Sequence, residues 1–264
     1  MTQYDLAQDL ALAVELADAA DTVSMRHFGA DDLGIEIKSD DSPVTVADKG
    51  AEQAIRTILT QQRPDDAVWG EEFGSGQSAS RRWIIDPIDG TKNYLRGVPV
   101  WATLIGLEVD GEIVLGMVSA PAMGRRWWAT QGAGAWTRSV AGAVSQLQVS
   151  DVDRISQASF SFSDEDYWLE RGARTGLRYL IDNCWRMRAY GDFWSHILVA
   201  EGAVDIAAEP ALMPWDMAAL VPIVTESGGR ITGFTGQPPL SEGCAVSTNG
   251  QLHELVLRVL RPTA

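Results

Sequence analysis

Small and apolar residues recur at helical spacing near the start of the chain: Leu6, Leu10, Ala13, Ala17 and Ala20. The run predicts a helix over 6–28, with Gly29 placed to end it. A loop follows through Lys38 to Pro43. Ala47, Ala51, Ala54, Ile55, Ile58 and Leu59 then mark a second helix over 46–62, capped by Thr45 and stopped by Pro64. From there the pattern turns to strands. Ala67-Val68-Trp69 runs into Gly70-Glu71-Glu72, and Trp83-Ile84-Ile85 runs into Asp86. Stretches 101–109 and 113–119 flank Asp110-Gly111, a hairpin signal. Strands are also expected at 127–129 and 147–149. Adjacent Trp127 and Trp128 must face opposite sides of their strand, one into the core and the other against a helix or a second subunit.

The second half mixes periods. Helices are expected over 167–182, from Phe193 to about Gly202, from Trp215-Asp216 to Gly228-Gly229 with Pro222 inside, and over 251–261. Stretches 204–208, 231–232 and 245–247 read as strands. Helices and strands alternate without a strict βαβ rhythm, so the expected class is α+β, layered, in one domain over 1–264. A possible subdivision puts a metal-binding half at 1–145 and a substrate-pocket half at 146–264.

Composition narrows the function. A formal charge of −15 argues against a general nucleic-acid binder, which needs a Lys/Arg excess over the phosphate backbone. It leaves room for an anionic small molecule held through cations. No apolar run is long enough to cross a bilayer, and Met1 to Leu10 lacks the basic start of a signal peptide, so a cytoplasmic location is expected. Cys184 and Cys244 read as reduced packing residues.

Chemistry concentrates in four places: Gly70-Glu71-Glu72, Asp86-Pro87-Ile88-Asp89-Gly90-Thr91, Pro214-Trp215-Asp216, and the Thr45/Asp48 pair. Pro87 fixes the chain beyond the strand, so Asp86 leaves in a defined direction, and Asp86 and Asp89 converge if the segment turns. Gly90 permits close approach of backbone to ligand, and Thr91 opens a helical turn whose N–H groups face the same place. Carboxylates beside an anion-binding turn are what a metal-bridged phosphate requires. Each acid alone reads more simply as a solvated charge or helix cap; the set, placed at strand ends beside Gly, Pro and Thr, does not. Other phosphatase classes fit poorly. Neither cysteine is followed by Arg six positions on, and Asp164-Glu165-Asp166-Tyr167-Trp168 has Trp where a haloacid-dehalogenase motif needs Thr or Val; its acids are expected to start the helix after Ser163. His27, His196 and His253 lie far apart on expected helices and read as structural.

DPIDGT at 86–91, GEE at 70–72 and PWDMAAL with a following ESGG at 214–229 resemble the inositol monophosphatase superfamily, over essentially the whole chain. The resemblance implies a layered αβαβα fold and Mg²⁺-dependent phosphate ester hydrolysis with two or three ions, commonly in a homodimer. It implies Glu71, Asp86 and the Ile88 carbonyl as ligands of one metal, and Asp86, Asp89 and Asp216 as ligands of a second. Glu71 would reach a third through water. Thr91 and Asp48 would orient and deprotonate the attacking water, the Gly90 and Thr91 amides would hold phosphate, and Lys38 would lie in a mobile loop over the metals.

Stretches 186–193 and 199–210, with Arg125-Arg126-Trp127-Trp128 and Gly97-Val98-Pro99-Val100-Trp101, are similar to the bacterial histidinol-phosphate phosphatases of that superfamily. That ester carries an ammonium and a partly cationic imidazole, so its pocket needs carboxylates beyond the metal ligands. Asp192 and Glu209 are the candidates, with Arg188 a further substrate contact; Asp192 also reads as a helix N-cap after Gly191. Glu209 matches the position that contacts the sugar alcohol in inositol phosphatases, so it separates the substrates poorly. Two alternatives stand beside this reading: the same chemistry on an inositol or other sugar phosphate, and an inactive cation-binding regulatory protein on the same fold.

Overall fold

In the computed structural model the described residues are 5–30, 32–38, 42–76 and 79–261. Helix α1 (Leu6–His27) opens the fold, its N-terminus capped by Asp5, whose Oδ1 accepts from the amides of Ala7 and Gln8. A two-stranded hairpin, β1 (Glu36–Ile37) and β2 (Pro43–Val44), frames the expected loop, of which residues 39–41 lie outside the described set. Helix α2 (Val46–Gln62) begins at a capping box in which the Asp48 carboxylate reaches back to the Thr45 amide. Strands β3 (Ala67–Gly70), β4 (Gly74–Ser75) and β5 (Arg81–Asp89) follow, then the short helix α3 (Thr91–Leu95). Five antiparallel strands complete the first sheet: β6 (Ala102–Val109), β7 (Glu112–Ala120), β8 (Arg125–Thr130), β9 (Ala135–Arg138) and β10 (Val144–Gln146). Its order is β10-β9-β8-β7-β6-β5-β3-β4, with β3 and β5 the parallel pair.

The second sheet draws on β11 (Ser159–Ser161), α4 (Arg174–Asn183), β12 (Arg186–Arg188), α5 (Asp192–Ala200), β13 (Ile206–Glu209), α6 (Pro214–Ala218), α7 (Leu220–Glu226), β14 (Arg230–Thr232), α8 (Pro239–Glu242), β15 (Ala245–Thr248) and α9 (His253–Leu260). Its strand order is β12-β11-β13-β15-β14.

Strand alternation sorts these elements into five layers. Trp83, Ile85, Ile105, Leu107 and Met117 project from one face of the large sheet onto Leu12, Leu16 and Ala20 of α1 and Ile55 and Leu59 of α2. From the other face Leu104, Val118 and Trp127 meet Phe193 and Ile197 of α5, Met217 of α6 and Leu220 and Ile223 of α7. Ala245 and Ile231 of the small sheet close on the same cluster. On the far side Phe160, Ile206, Ala208 and Val246 pack against Leu177 and Leu180 of α4 and Val256 and Leu257 of α9. This is the expected α+β fold in αβαβα layers. The central helices sit very close to the sheet, since a Cβ at Gly116 would lie 2.0 Å from the Ala219 carbonyl oxygen. Trp127 fills the central layer while Trp128 packs against the α1/α2 layer, so each tryptophan covers a helix.

Several local expectations are corrected. Residues 147–149 lie beyond the strand, which ends at Gln146, and the Val149 amide turns aside to the Ser227 carbonyl. The helix expected from Tyr167 starts only at Arg174. Positive φ at Tyr167 (61°) and Gly172 (72°) folds the intervening stretch into turns, and just before it the Asp166 amide donates to Asp164 Oδ1 instead of starting a helix. The helix expected from Trp215 to Gly228 is two helices meeting at Ala219, three residues before Pro222, which cannot donate to the preceding turn. Strands β9 and β12 and helix α8, not expected, are too short to leave a periodic signal. Both cysteines are free. Among the described residues no helix is long and apolar enough to cross a membrane.

Candidate active site

In a regular strand, residues three apart face opposite sides, so Asp86 and Asp89 should diverge. They do not, because the register of β5 against β6 shifts between them. Asp86 pairs with Leu104 and Asp89 with Ala102. The extra residue falls at Pro87-Ile88, where proline has no N–H to lose and the Pro87 carbonyl accepts from the Thr103 hydroxyl at 2.8 Å. Asp86 Oδ1 accepts from the Ile88 amide at 3.0 Å, which fixes the bulge from inside. Asp216 arrives from the first turn of α6, its Oδ2 accepting from the Met213 amide at 2.8 Å. One oxygen from each of Asp86, Asp89 and Asp216 lies within 4.8 Å of the others.

Three carboxylates this close raise one another's pKa. Burial, then the charges of Glu71, Asp89 and Asp216, push Asp86 well above the carboxylate range. Burial, then Asp192 and Asp216, do the same to Asp89, and Asp216 is pushed up to about 7, chiefly by burial. Asp86 is 2% exposed, so water screens it little. Among the described residues, the cation in direct contact with the expected metal ligands is Lys38, whose Nζ lies 2.7 Å from Glu71 and 2.6 Å from Glu72. Lys38 does not bond to the three-acid cluster itself. Hard-oxygen donors in this number, with negative charge in excess, fit divalent cations.

Glu71 lines the same cavity but stands outside the three-acid group. Its turn is held from below by Glu52 on α2, a fully buried carboxylate that accepts from the amides of Glu72 (2.8 Å) and Phe73 (3.3 Å) and from Arg56 (2.7 Å). Thr91 starts α3. Its hydroxyl donates to the Ile88 carbonyl at 3.0 Å and lies 3.4 Å from Asp48 Oδ1, so the Thr91–Asp48 pair is present but loose. Burial raises the Asp48 pKa. Gly90 takes φ 84°, and a Cβ there would meet the Val100 carbonyl at 3.1 Å and Asp192 Oδ2 at 3.3 Å, so any side chain would be both strained and crowded.

The opposite wall comes from the second sheet. Strand alternation on β13 turns Ile206 and Ala208 toward α4 and α9, which leaves Glu209 on the α5 side. The Ser163 hydroxyl donates to Glu209 Oε1 at 2.8 Å and accepts from the Asp192 amide at 3.0 Å. Asp192 opens α5 at φ 50°, a strained value outside glycine, and its Oδ2 accepts from Asn93 Nδ2 at 3.1 Å. Next in sequence, the Phe193 amide donates to Asp89 Oδ2 at 2.8 Å. Burial first, then Asp192, pushes Glu209 up to about 8.

The cavity between the walls has a volume of about 290 Å³. It brings together Glu71, Asp86, Ile88, Asp89, Gly90, Thr91, Asp192, Glu209 and Asp216. Asp48 stands behind Thr91, and Lys38 meets the cavity's Glu71. Arg188 is the exception: it is exposed on edge strand β12, does not line the cavity, and bonds to the Met187 carbonyl. Sequence reasoning missed Glu52, Asn93, Ser163 and His196. Glu52 had a signal, as an acid on the apolar face of α2 one turn past Asp48; the others had none.

The profile of the inositol monophosphatase family matches residues 5–263, and the chain belongs to that family. It is 52% identical over 260 residues to a histidinol-phosphatase of Streptomyces coelicolor, covering 97% of this chain and 98% of that protein. It is also 52% identical to a histidinol-phosphatase of Mycobacterium tuberculosis, covering 94% and 96%. Among solved structures, the extragenic suppressor protein suhB from Bartonella henselae superposes with a TM-score of 0.88 at 27% identity, covering 97% of this chain and all of that one.

Proposed function

We propose that this protein is a Mg²⁺-dependent phosphatase that hydrolyses histidinol phosphate to histidinol and phosphate. The observation that carries the reading is the facing of two acid sets across one small cavity: Asp86, Asp89 and Asp216 on one wall, Asp192 and Glu209 on the other. The first set suits cations that bridge to a phosphate, and the second suits the cationic groups of an amino alcohol. The names of the two relatives at 52% identity agree with the substrate.

Asp86, Asp89, Asp216, Glu71 and the Ile88 carbonyl would hold two or three ions. Bound there, Mg²⁺ would supply the positive charge that acidifies a water and offsets the charge on the phosphoryl group. The amides of Gly90 and Thr91 would hold phosphate oxygens. Thr91 would orient the attacking water and relay its proton to the Asp48 carboxylate; the new O–P bond forms as the P–O bond to the alcohol breaks, and the leaving alkoxide takes a proton from solvent. Asp192 and Glu209 would face the cationic end of the substrate, its ammonium above all. Lys38 would occupy Glu71 and Glu72 until ions displace it. Residues 1–264 would act as one domain, in a cytoplasmic homodimer.

The test is turnover by metal-stripped protein resupplied with Mg²⁺, on histidinol phosphate and inositol 1-phosphate side by side. Mg²⁺-dependent preference for the first supports the reading. Preference for the second moves the chain to a sugar-phosphate role, and no Mg²⁺-dependent hydrolysis of either removes the enzyme.

A further inference from the structure

His196 is 1% exposed, yet it forms part of the wall of the catalytic cavity. It lies one helical turn beyond Asp192, on the same side of α5. Its Nδ1 is 2.7 Å from the Ser247 hydroxyl on β15. Its Nε2 is buried with no hydrogen-bond partner. Buried polar atoms are almost always paired, and an orphan costs more than a typical hydrogen bond contributes. His253 shows the ordinary arrangement in the same molecule: its two nitrogens meet Thr232 at 2.9 Å and Thr248 at 3.0 Å. Phe193, Leu212 and Leu220 line the same cavity as His196, so apolar side chains as well as acids share the wall with the imidazole.

We infer that His196 is a specificity-determining residue whose Nε2 pairs with the imidazole of the substrate. The inference rests on the substrate reading above. Burial holds His196 neutral, with its pKa lowered to about 4. A neutral imidazole offers one donor and one acceptor, and which nitrogen carries the proton depends on Ser247. The partner must therefore adapt to either tautomer. A second imidazole does: neutral, it donates or accepts, and protonated, it donates to an unprotonated Nε2. A sugar hydroxyl also fits the hydrogen bond, but brings no flat apolar ring to a cavity that Phe193, Leu212 and Leu220 also line. Asp192 and Glu209 are thereby left for the ammonium.

The experiment measures kcat/KM of the Mg²⁺-loaded protein for histidinol phosphate and for 4-nitrophenyl phosphate, which has no imidazole. His196→Phe keeps a ring and removes both nitrogens. Its ratio of kcat/KM values, histidinol ester over nitrophenyl ester, is expected to fall about tenfold, carried by KM. Ser247→Ala removes the Nδ1 contact alone, and its ratio is expected to stay within about twofold. His196→Gln, which keeps a donor and an acceptor, should recover part of the loss. Nitrogen-15 NMR of the wild-type imidazole needs no variant: added histidinol should shift His196 Nε2 and leave both His253 nitrogens in place. An unchanged ratio in His196→Phe, an equal fall in Ser247→Ala, or an unmoved Nε2 overturns the inference while the substrate reading stands. Failure of the wild type to hydrolyse histidinol phosphate overturns both.

Discussion

One wall of the cavity is written on contiguous sequence and the other is not. Asp86, Asp89, Gly90 and Thr91 occupy one strand end and the turn after it, and only Glu71, just past β3, and Asp216 must be brought to them. The facing wall needs Ser163 from a loop, Asp192 from the start of α5 and Glu209 from the end of β13. The first wall crowds like charges and is held by a bulge and backbone hydrogen bonds. The second is held by a hydroxyl that links the Glu209 carboxylate to the Asp192 amide and by one residue at positive φ. A site that must hold cations tolerates little movement of its ligands. A site that chooses among alcohols is assembled from parts that vary separately. The walls touch where the Phe193 amide meets Asp89 and Asn93 meets Asp192.

The comparison breaks most visibly at Asp89. Asp89→Asn keeps an acceptor for the Phe193 amide but removes one of the three clustered charges proposed to hold the cations. Turnover is expected to fall by about three orders of magnitude on every phosphate ester. The circular dichroism spectrum should not change. Retained activity would mean that the three-acid wall is not the cation site. A smaller, selective effect is expected from Asp192→Asn, in which asparagine tolerates the left-handed backbone. KM for histidinol phosphate should rise about 10- to 100-fold, with a much smaller change for 4-nitrophenyl phosphate. An equal loss on both esters would assign Asp192 to the metal wall.

The same contrast explains what the sequence disclosed. The α+β class, helix α2 to its last residue and the gathering of Glu71, Asp86, Asp89 and Asp216 at one cavity were legible, because each rests on local periodicity or a contiguous motif. The β5 bulge was only half legible: Pro87 and Gly90 marked a turn, but the register shift that makes Asp86 and Asp89 converge belongs to the pairing with β6. Asn93 and Ser163 gave no signal, since their roles exist only across about a hundred residues or a neighbouring strand. His196 was read as structural, and nothing short of its missing partner in three dimensions says otherwise. Arg188 looked like a pocket residue from its neighbours in sequence, yet an edge strand turns it to solvent.

Glu52 sharpens the picture of the metal wall, because it never reaches the cavity and acts only through the turn that carries Glu71. Glu52→Gln exchanges a buried carboxylate for an amide with one acceptor, beneath two amides and Arg56. Unfolding by urea should show a loss of about 1–3 kcal/mol. Mg²⁺ should be needed at higher concentration for half-maximal activity, while discrimination between esters holds. Loss of discrimination would show that the walls are not separable.

The smallest effect is a pH dependence in which both walls share. Asp86, Asp89, Asp216 and Glu209 all have folded pKa values above those of the unfolded chain, with Asp216 near 7 and Glu209 near 8. A carboxyl group raised on folding favours the native state while protonated. Its contribution is complete below its unfolded pKa of about 4 and is lost as pH rises through the folded value. Metal-stripped protein should therefore lose thermal stability between about pH 5 and pH 8, with Tm falling by about 5 °C or more. On the proposed assignment Mg²⁺ would bind the deprotonated acids of one wall only, so it should restore the part due to Asp86, Asp89 and Asp216 and leave the part due to Glu209. The rise in Tm on adding Mg²⁺ should grow with pH in the wild type. In Asp89→Asn it should be small at every pH, and in Glu209→Gln the metal-free slope should lessen while the response to Mg²⁺ persists. A metal-free Tm that is flat or rises over this range would show that the acids are not crowded as the geometry places them.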